Sequence, residues 1–513
     1  MANSILSTDK IRNKTTGEDI EVSEVVVYKN GILQTENENN LTVGNAEKLN
    51  GKNIEDVYAD FNNIISGHLD SSIRLLPNSE NNQSISNNFI VAVTKDEEIR
   101  VKGLNTYFLN GATASNNGYI TINNPHRVSK IKELITANTN LYVLYEDGEL
   151  YVMGKNSYGC LGIGNSVEQY QLVYSASSVE KIFASSSGHN LESNYAFILK
   201  KDGTLFATGR NLTGNLGLGD NLDKLSWSEV PFLDEIGLIV DVICAGTENA
   251  ASYIITADGE TLATGYNASG NLGFNDTVNR NTFQKIPSLI NTRIKQLVVS
   301  SGYYNANYSI SVLALSIDGR LFSFGNNSFG QLGTGDVSQK NNPVLVFIAL
   351  EDGEQIEKLY SPKAAYNFYF LTNKNKLFGA GNNAYGQLNQ NNTTASSLFI
   401  QIFNNVKNIA ITSSLVYGYY IGLYIATTDN KLFVVGYNQR GSGGVNNLID
   451  IKSAIDTKFE YANQIKQISS GGNTYPTINI LLENGKVFSC GNNESGQIIT
   501  PVSNTVNRLT RIF

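Results

Sequence analysis

The chain has 513 residues, a formal net charge of −8 and only 16% charged residues, which allows a large core and argues against nucleic-acid or anionic-membrane binding. Its cysteines, Cys160, Cys244 and Cys490, are odd in number and far apart, so they read as buried free thiols and not as a disulfide framework. The start, Met1 to Lys14, has no apolar core and is expected not to act as a secretory signal; no apolar run reaches the ~18 residues of a membrane-spanning helix.

Residues 1–70 come first and differ from everything after them. Ser23 to Leu33 reads as a small hairpin, with Val25 and Val27 alternating before Lys29-Asn30-Gly31 and Ile32-Leu33 after it. Next, Ile54, Val57, Tyr58, Phe61, Ile64 and Ile65 recur at three and four, as one face of a helix does. Asn53 would cap that helix and Gly67 would end it. A single amphipathic helix after a hairpin has no core of its own, so it is expected to pack on copies of itself or on a partner. The segment is therefore expected to be a small α/β anchor that oligomerises.

Residues 71–513 repeat. The clearest copy runs from Leu321 to Asp336, LFSFGNNSFGQLGTGD. Its anchor glycine recurs as Gly154, Gly209, Gly265, Gly325, Gly381, Gly436 and Gly491, about every 55 residues, the signature of stacked supersecondary units. Two alternating runs precede each anchor. Between them lie Asp147-Gly148, Asp202-Gly203, Asp258-Gly259, Asp318-Gly319 and Asn484-Gly485, with Asn375 and Asn430 in the other two copies. Such pairs predict hairpins with type I′ turns, both central residues at positive φ. After the anchor comes G-x-N-x-x-G. Asn327 is expected to hold this loop through backbone bonds, and Leu332 to plug it into the core.

A degenerate first copy, between Ser71 and Asn105, places Glu97-Glu98 where the others have Asp-Gly. That makes eight units of four short strands, each unable to bury its faces alone, and predicts a closed ring. Val506 to Phe513 resembles the strand that opens each unit, such as Val128 to Ile131. It is expected to pair with the first blade and tie the ring shut.

The G-x-N-x-x-G-x-L-G pattern, over roughly residues 85–500, resembles the RCC1 repeat family (regulator of chromosome condensation). The resemblance implies an all-β fold, a β-propeller, with seven blades usual in the family against the eight units counted here. Members of that family serve as nucleotide exchange factors, ubiquitin-ligase modules, inhibitors and binding platforms, so fold alone does not choose. A second string, Asn45-Ala46-Glu47-Lys48-Leu49-Asn50-Gly51-Lys52, resembles the A-x-x-L-N-G-K linkers of bacteriophage tail-fibre and other virion appendage proteins. This second resemblance implies a non-enzymatic structural protein located in the virion. Its 1–70 segment would join other virion proteins as a homo-oligomer, and its 71–513 propeller would meet a host-surface protein or glycan. No nucleic acid and no membrane insertion are expected. The alternatives are a guanine nucleotide exchange factor or signalling adaptor, and a protein inhibitor. Against the exchange factor, residues 1–60 hold six Lys or Arg and eleven Asp or Glu, 6 − 11 = −5, where a chromatin-docked exchange factor needs a basic tail.

Little in the sequence suggests chemistry. His68, His126 and His189 have no metal-ligand or triad partner at a recognisable spacing. The glycine-rich stretches lack a phosphate-loop lysine. Asp220, Asp276 and Asp336 fall one per unit and read as turn residues, not calcium ligands. No catalytic residue, metal or cofactor is expected. Binding is expected on the rim that carries the connections between strands one and two and between strands three and four. There Tyr303, Tyr304, Tyr366, Tyr417 and Tyr419 lie among Ser, Gly and Asn, the composition of recognition surfaces, and predict a protein- or glycan-binding patch. The competing reading is that these tyrosines begin strands and fill the wall between blades.

Overall fold

The second strand of each unit is apolar on both faces, as in Asn140–Tyr145, NLYVLY. A run like that must be covered from both sides. The computed structural model of the chain shows how. It describes residues 73–76, 85–86, 89–103, 120–185, 194–231, 236–246, 248–304, 307–362, 365–413, 420–471, 475–494, 498 and 505–512, with six short strands before residue 54. The chain divides into two units, Met1–Ser71 and Ser72–Phe513.

In the first unit Val26–Lys29 pairs antiparallel with Ile32–Thr35, Lys29 opposite Ile32, which is the expected hairpin. Lys10–Arg12 pairs with Asp19–Glu21, and Lys48–Leu49 with Lys52–Asn53. Asn53, the expected helix cap, is thus a strand residue; the helix expected after it lies outside the described residues.

The second unit is an all-β propeller of eight blades, each built on a meander of four antiparallel strands; in blade 2 a short fifth strand, Ile85–Ser86, pairs parallel with the first strand at Ala137 and Asn138. Blade 1 is built from Ile73–Leu75, Phe89–Thr94, Ile99–Gly103 and Ile120–Ile122, so the degenerate copy is a full member of the ring. Blade 8 is Ile465–Gly471, Thr477–Leu482, Val487–Asn492 and Thr505–Arg511. First strands of neighbouring blades meet around the axis, and fourth strands face outward. Eight apolar clusters fill the eight blade interfaces. Strand two supplies both sides: Leu141, Val143 and Tyr145 point to blade 1, Tyr142 and Leu144 to blade 3.

The expected strand exchange does not occur. Thr505–Arg511 pairs with Val487–Asn492 of its own blade, Phe488 opposite Arg511 and Gly491 opposite Val506. The propeller begins on the first strand of blade 1 and ends on the fourth strand of blade 8, so blade 8 takes all four of its strands from one continuous stretch of chain. Face packing of Ile73, Leu76 and Ala92 against Leu481 and Val487 closes the ring.

The hairpin turns also differ from expectation. Gly148 N–H donates to Tyr145 O, and Tyr145 N–H to Glu149 O, both at 3.0 Å. Positive φ falls only on the second residue of each pair, as at Gly148 (96°), Gly203 (89°) and Gly485 (79°). This is a type I turn followed by a bulge residue in the left-handed region, not type I′. Asn375, Asn430 and Glu97 fill the same slot, so in blade 1 the pair replacing Asp-Gly is Asp96-Glu97.

That hairpin sets how blades join. The carbonyl of its left-handed residue accepts the first amide of the next blade: Val179 N to Gly148 O at 2.9 Å, Ile294 N to Gly259 O at 2.9 Å, Val406 N to Asn375 O at 2.9 Å. Between blades 1 and 2 the Glu97 side chain does this work. Its Oε2 accepts Ile131 N–H at 2.8 Å and pairs with Arg74, whose guanidinium also donates to Ile131 O at 2.8 Å. A bulge follows in every first strand, after Ile73, Ile131, Val179, Ile239, Ile294, Ile356, Val406 and Ile465. Side chains then cover the open inner edge, which protects it from foreign strands. Gln296 accepts Leu359 N–H at 2.8 Å and donates to Leu359 O at 3.0 Å; Gln467 grips Leu76 in the same way.

Candidate functional site: the loop rim

The G-x-N loops behave as expected. Asn327 is 1% exposed; its Nδ2 donates to Asp336 O at 2.9 Å, and its Oδ1 accepts Leu332 N–H at 2.9 Å. Leu161, Leu216, Leu272, Leu332 and Leu388 are all fully buried. Glycine follows four of these plugs, and Asn389, also at positive φ (55°), follows Leu388; a side chain at the glycines would meet the next blade. At Gly333 a Cβ would lie 2.4 Å from the Phe399 ring of the next blade, and at Gly162 2.3 Å from Trp227. Asp276 and Asp336 are turn residues. Their Oδ1 atoms accept Val278 and Ser338 N–H at 3.0 Å, and Arg280 and Lys340 hold both carboxyls below the usual carboxylate range.

Two loop positions then form the rim. The fourth residue after an anchor glycine reaches the first residue after the next anchor, or the residue ahead of the next blade's second strand. Tyr158 lies under the Arg210 guanidinium at 4.2 Å. Phe329 packs on Tyr366, with ring centroids 4.6 Å apart. Tyr385 meets Tyr437 at 5.2 Å and Tyr420 at 5.4 Å, edge to face in both cases. Tyr420 stacks on Tyr437 (4.4 Å, 16°) and on Tyr475 (6.1 Å, 15°). Arg440 sits 3.9 Å from the Tyr475 ring and bridges to Glu494 of blade 8 at 3.0 Å. Blades 6, 7 and 8 thus share one aromatic column that ends in an ion pair. Tyr437 is buried, which pushes its phenol up, with Tyr420 and Tyr475 adding to the shift. Tyr385, Tyr420 and Tyr475 are half-buried.

The five tyrosines singled out in the sequence fare differently. Tyr366 is on this rim but 2% exposed, its ring over Gly302 and against Phe329; it works as packing between blades. Tyr303 and Tyr304 end the strand Ile294–Tyr304; their side chains, and all of Tyr417 and Tyr419, lie outside the described residues. The column residues Tyr385, Tyr420, Tyr437, Tyr475 and Arg440 are not among those five, although the repeat marks their places: Tyr385 and Arg440 stand four residues after an anchor glycine and Tyr437 one, while Tyr420 and Tyr475 lie one and two residues ahead of a second strand.

Elsewhere, His126 is not isolated. Its Nε2 lies 2.6 Å from Asp147 Oδ2, and its ring stacks on Tyr151. This pairing ties the link between blades 1 and 2 to a hairpin. His68 and His189 lie outside the described residues. Among the described residues no group of three His, Cys, Asp or Glu could hold a metal ion. Cys160 and Cys490 are buried free thiols, pushed up to about 12 by burial, and Cys244 is half-buried and in no disulfide; buried thiols of this kind are inert.

Residues 147–191 and 318–354 match the family described as Regulator of chromosome condensation (RCC1) repeat. These two segments of the eight-bladed propeller therefore carry RCC1 repeats. It is 27% identical to the ultraviolet-B receptor UVR8 of Arabidopsis thaliana over 62% of this chain and 67% of that protein. It is 28% identical to the human probable E3 ubiquitin-protein ligase HERC4 over 40% of this chain but only 18% of the ligase. Among solved structures, human WBSCR16 superposes with a TM-score of 0.54 at 17% identity, covering 75% of this chain and 100% of that one. Yeast RCC1 (Prp20) bound to Kap60 gives 0.52 at 18% identity, covering 72% and 85%. At these identities the two structures show the fold alone.

Proposed function

We propose that this protein is a non-catalytic, RCC1-like binding platform, an adaptor that takes a protein partner on the loop rim of blades 6 to 8. The observation that carries this reading is the Tyr437–Tyr420–Tyr475–Arg440 column. Its rings are stacked before any ligand arrives, so binding costs little side-chain ordering. Tyr and Arg are also the residues that dominate protein interfaces. Because the rings use their faces on one another, the column suits a protein better than a sugar, which needs a free ring face. The named relatives, a receptor and a ligase, favour an RCC1-like role over the virion appendage, which rests on the Ala46–Lys52 string alone. The test captures partners from an extract of the source cells with the intact chain and with Tyr475→Ala/Arg440→Ala, folding being checked by circular dichroism. Partners held by the first and lost by the second support the platform. Identical capture by both overturns it.

A second reading is nucleotide exchange on a small GTPase. Prp20p of Saccharomyces cerevisiae, whose fold this propeller resembles (TM-score 0.51), has binding properties to Gsp1p and histones. Release of a fluorescent guanine nucleotide from candidate GTPases tests it; acceleration by catalytic amounts of the chain favours exchange over the adaptor.

A further inference from the structure

We propose that Asn484 is a site of spontaneous deamidation, and that the isoaspartyl product opens the propeller at its closure. Four of the eight hairpins place Asp before the left-handed glycine; blade 8 alone places Asn there, and Asn484-Gly485 is the only Asn-Gly pair among the described residues. The Asn484 side chain is exposed, and its Oδ1 accepts Lys486 N–H at 3.1 Å. That bond turns the side chain toward its own hairpin and polarises its carbonyl, while Nδ2 donates to Gln464 Oε1 at 3.3 Å.

The chemistry balances without any other group. The Gly485 nitrogen attacks Asn484 Cγ, a C–N bond forms, and ammonia departs with the displaced amide nitrogen and the proton from Gly485. Water then opens the cyclic imide at one of its two carbonyls. Opening one way leaves aspartate, the residue the sister hairpins already carry. Opening the other way leaves isoaspartate, which adds a methylene to the main chain just before Gly485.

That position matters because the Gly485 carbonyl accepts Ile73 N–H at 3.1 Å across the closure. Gly485 itself is buried, and its N–H donates to Leu482 O at 3.0 Å. Attack therefore needs a transient opening of this hairpin, and because the Gly485 carbonyl is tied to Ile73, we expect that opening to come more often when the interface between blades 8 and 1 is loosened. Once isoaspartate forms, the carbonyl is displaced from Ile73 and the opening persists.

The experiment holds the folded chain in mildly alkaline buffer, maps its peptides by mass, labels isoaspartate with an isoaspartyl methyltransferase, and records Tm on the same samples. Asn484 should convert ahead of the other described asparagines, Tm should fall with the isoaspartyl fraction, and Leu481→Ala, which loosens the interface, should speed conversion. Asn484→Asp should start with unchanged Tm, and Asn484→Gln should keep its Tm through the incubation. Survival of Asn484 while other described asparagines convert, or full conversion at constant Tm, overturns the proposal.

Discussion

The main-chain amide of Ile73 donates to the carbonyl of Gly485 at 3.1 Å, joining the first strand of blade 1 to the last hairpin of blade 8. The same bond links blades 2 and 3, 4 and 5, and 6 and 7 through Val179, Ile294 and Val406. The closure therefore repeats an ordinary blade interface, without an exchanged strand. Its described packing is also thin. Among the described residues its cluster holds five buried residues, where the cluster between blades 4 and 5 holds fifteen.

Hydrogen exchange should reveal that difference. The Ile73 amide should exchange faster than those of Val179, Ile294 and Val406, because local opening follows the apolar contact that must be broken. Equal protection at all four would show the closure to be as tight as the rest. Leu481→Ala should cost ~2–5 kcal/mol in urea unfolding, the usual range for emptying a buried leucine site.

The loop asparagines are predicted to be costly to lose. Asn327→Ala removes a side chain that satisfies the Leu332 amide and the Asp336 carbonyl inside the loop. Leaving either group unpaired costs ~1–3 kcal/mol. Thermal unfolding should show the loss, while exposed Ser328→Ala, one residue away, should be nearly silent.

Two carboxylates should respond to pH with opposite sign. Arg280 holds the Asp276 carboxyl low. Its contribution is present above the ordinary aspartate pKa and is lost as pH falls through the depressed folded value. Arg280→Gln should therefore flatten the acid limb of a Tm-against-pH curve. Burial pushes the Asp241 carboxyl up, with Lys181 only partly offsetting it. That penalty is absent below the ordinary aspartate pKa and complete above the raised folded one. Asp241→Asn should raise Tm near neutral pH, with the gain fading in acid. A gain that persists at low pH would contradict the burial account.

Much of the fold was legible because the unit repeats: period, anchor glycine, clamping asparagine and leucine plug recur together, and each has a local physical reason. The closure was not legible in Val506–Arg511. An exposed edge strand carries the same weak alternation whether it completes its own blade or crosses to another; only the phase between repeat and blade decides. The turn type is not legible either, because Asp-Gly serves both type I′ and type I with a bulge, and the choice depends on how the flanking strands hydrogen-bond. At the rim, sequence showed that tyrosines concentrate there but not which ones pack. Tyr366 is buried because Gly302 opposite leaves it room, a relationship across 64 positions that no local pattern carries.

Binding by the aromatic column is the claim on which the functional account stands. The direct measurement is the affinity of a captured and purified partner for the intact chain, for Tyr475→Ala/Arg440→Ala, and for Arg320→Ala on the opposite rim as control. The account predicts at least a roughly tenfold weakening for the double variant, as expected for interface hot spots, and an unchanged affinity for the control. Equal affinity for the intact chain and a well-folded double variant would contradict it.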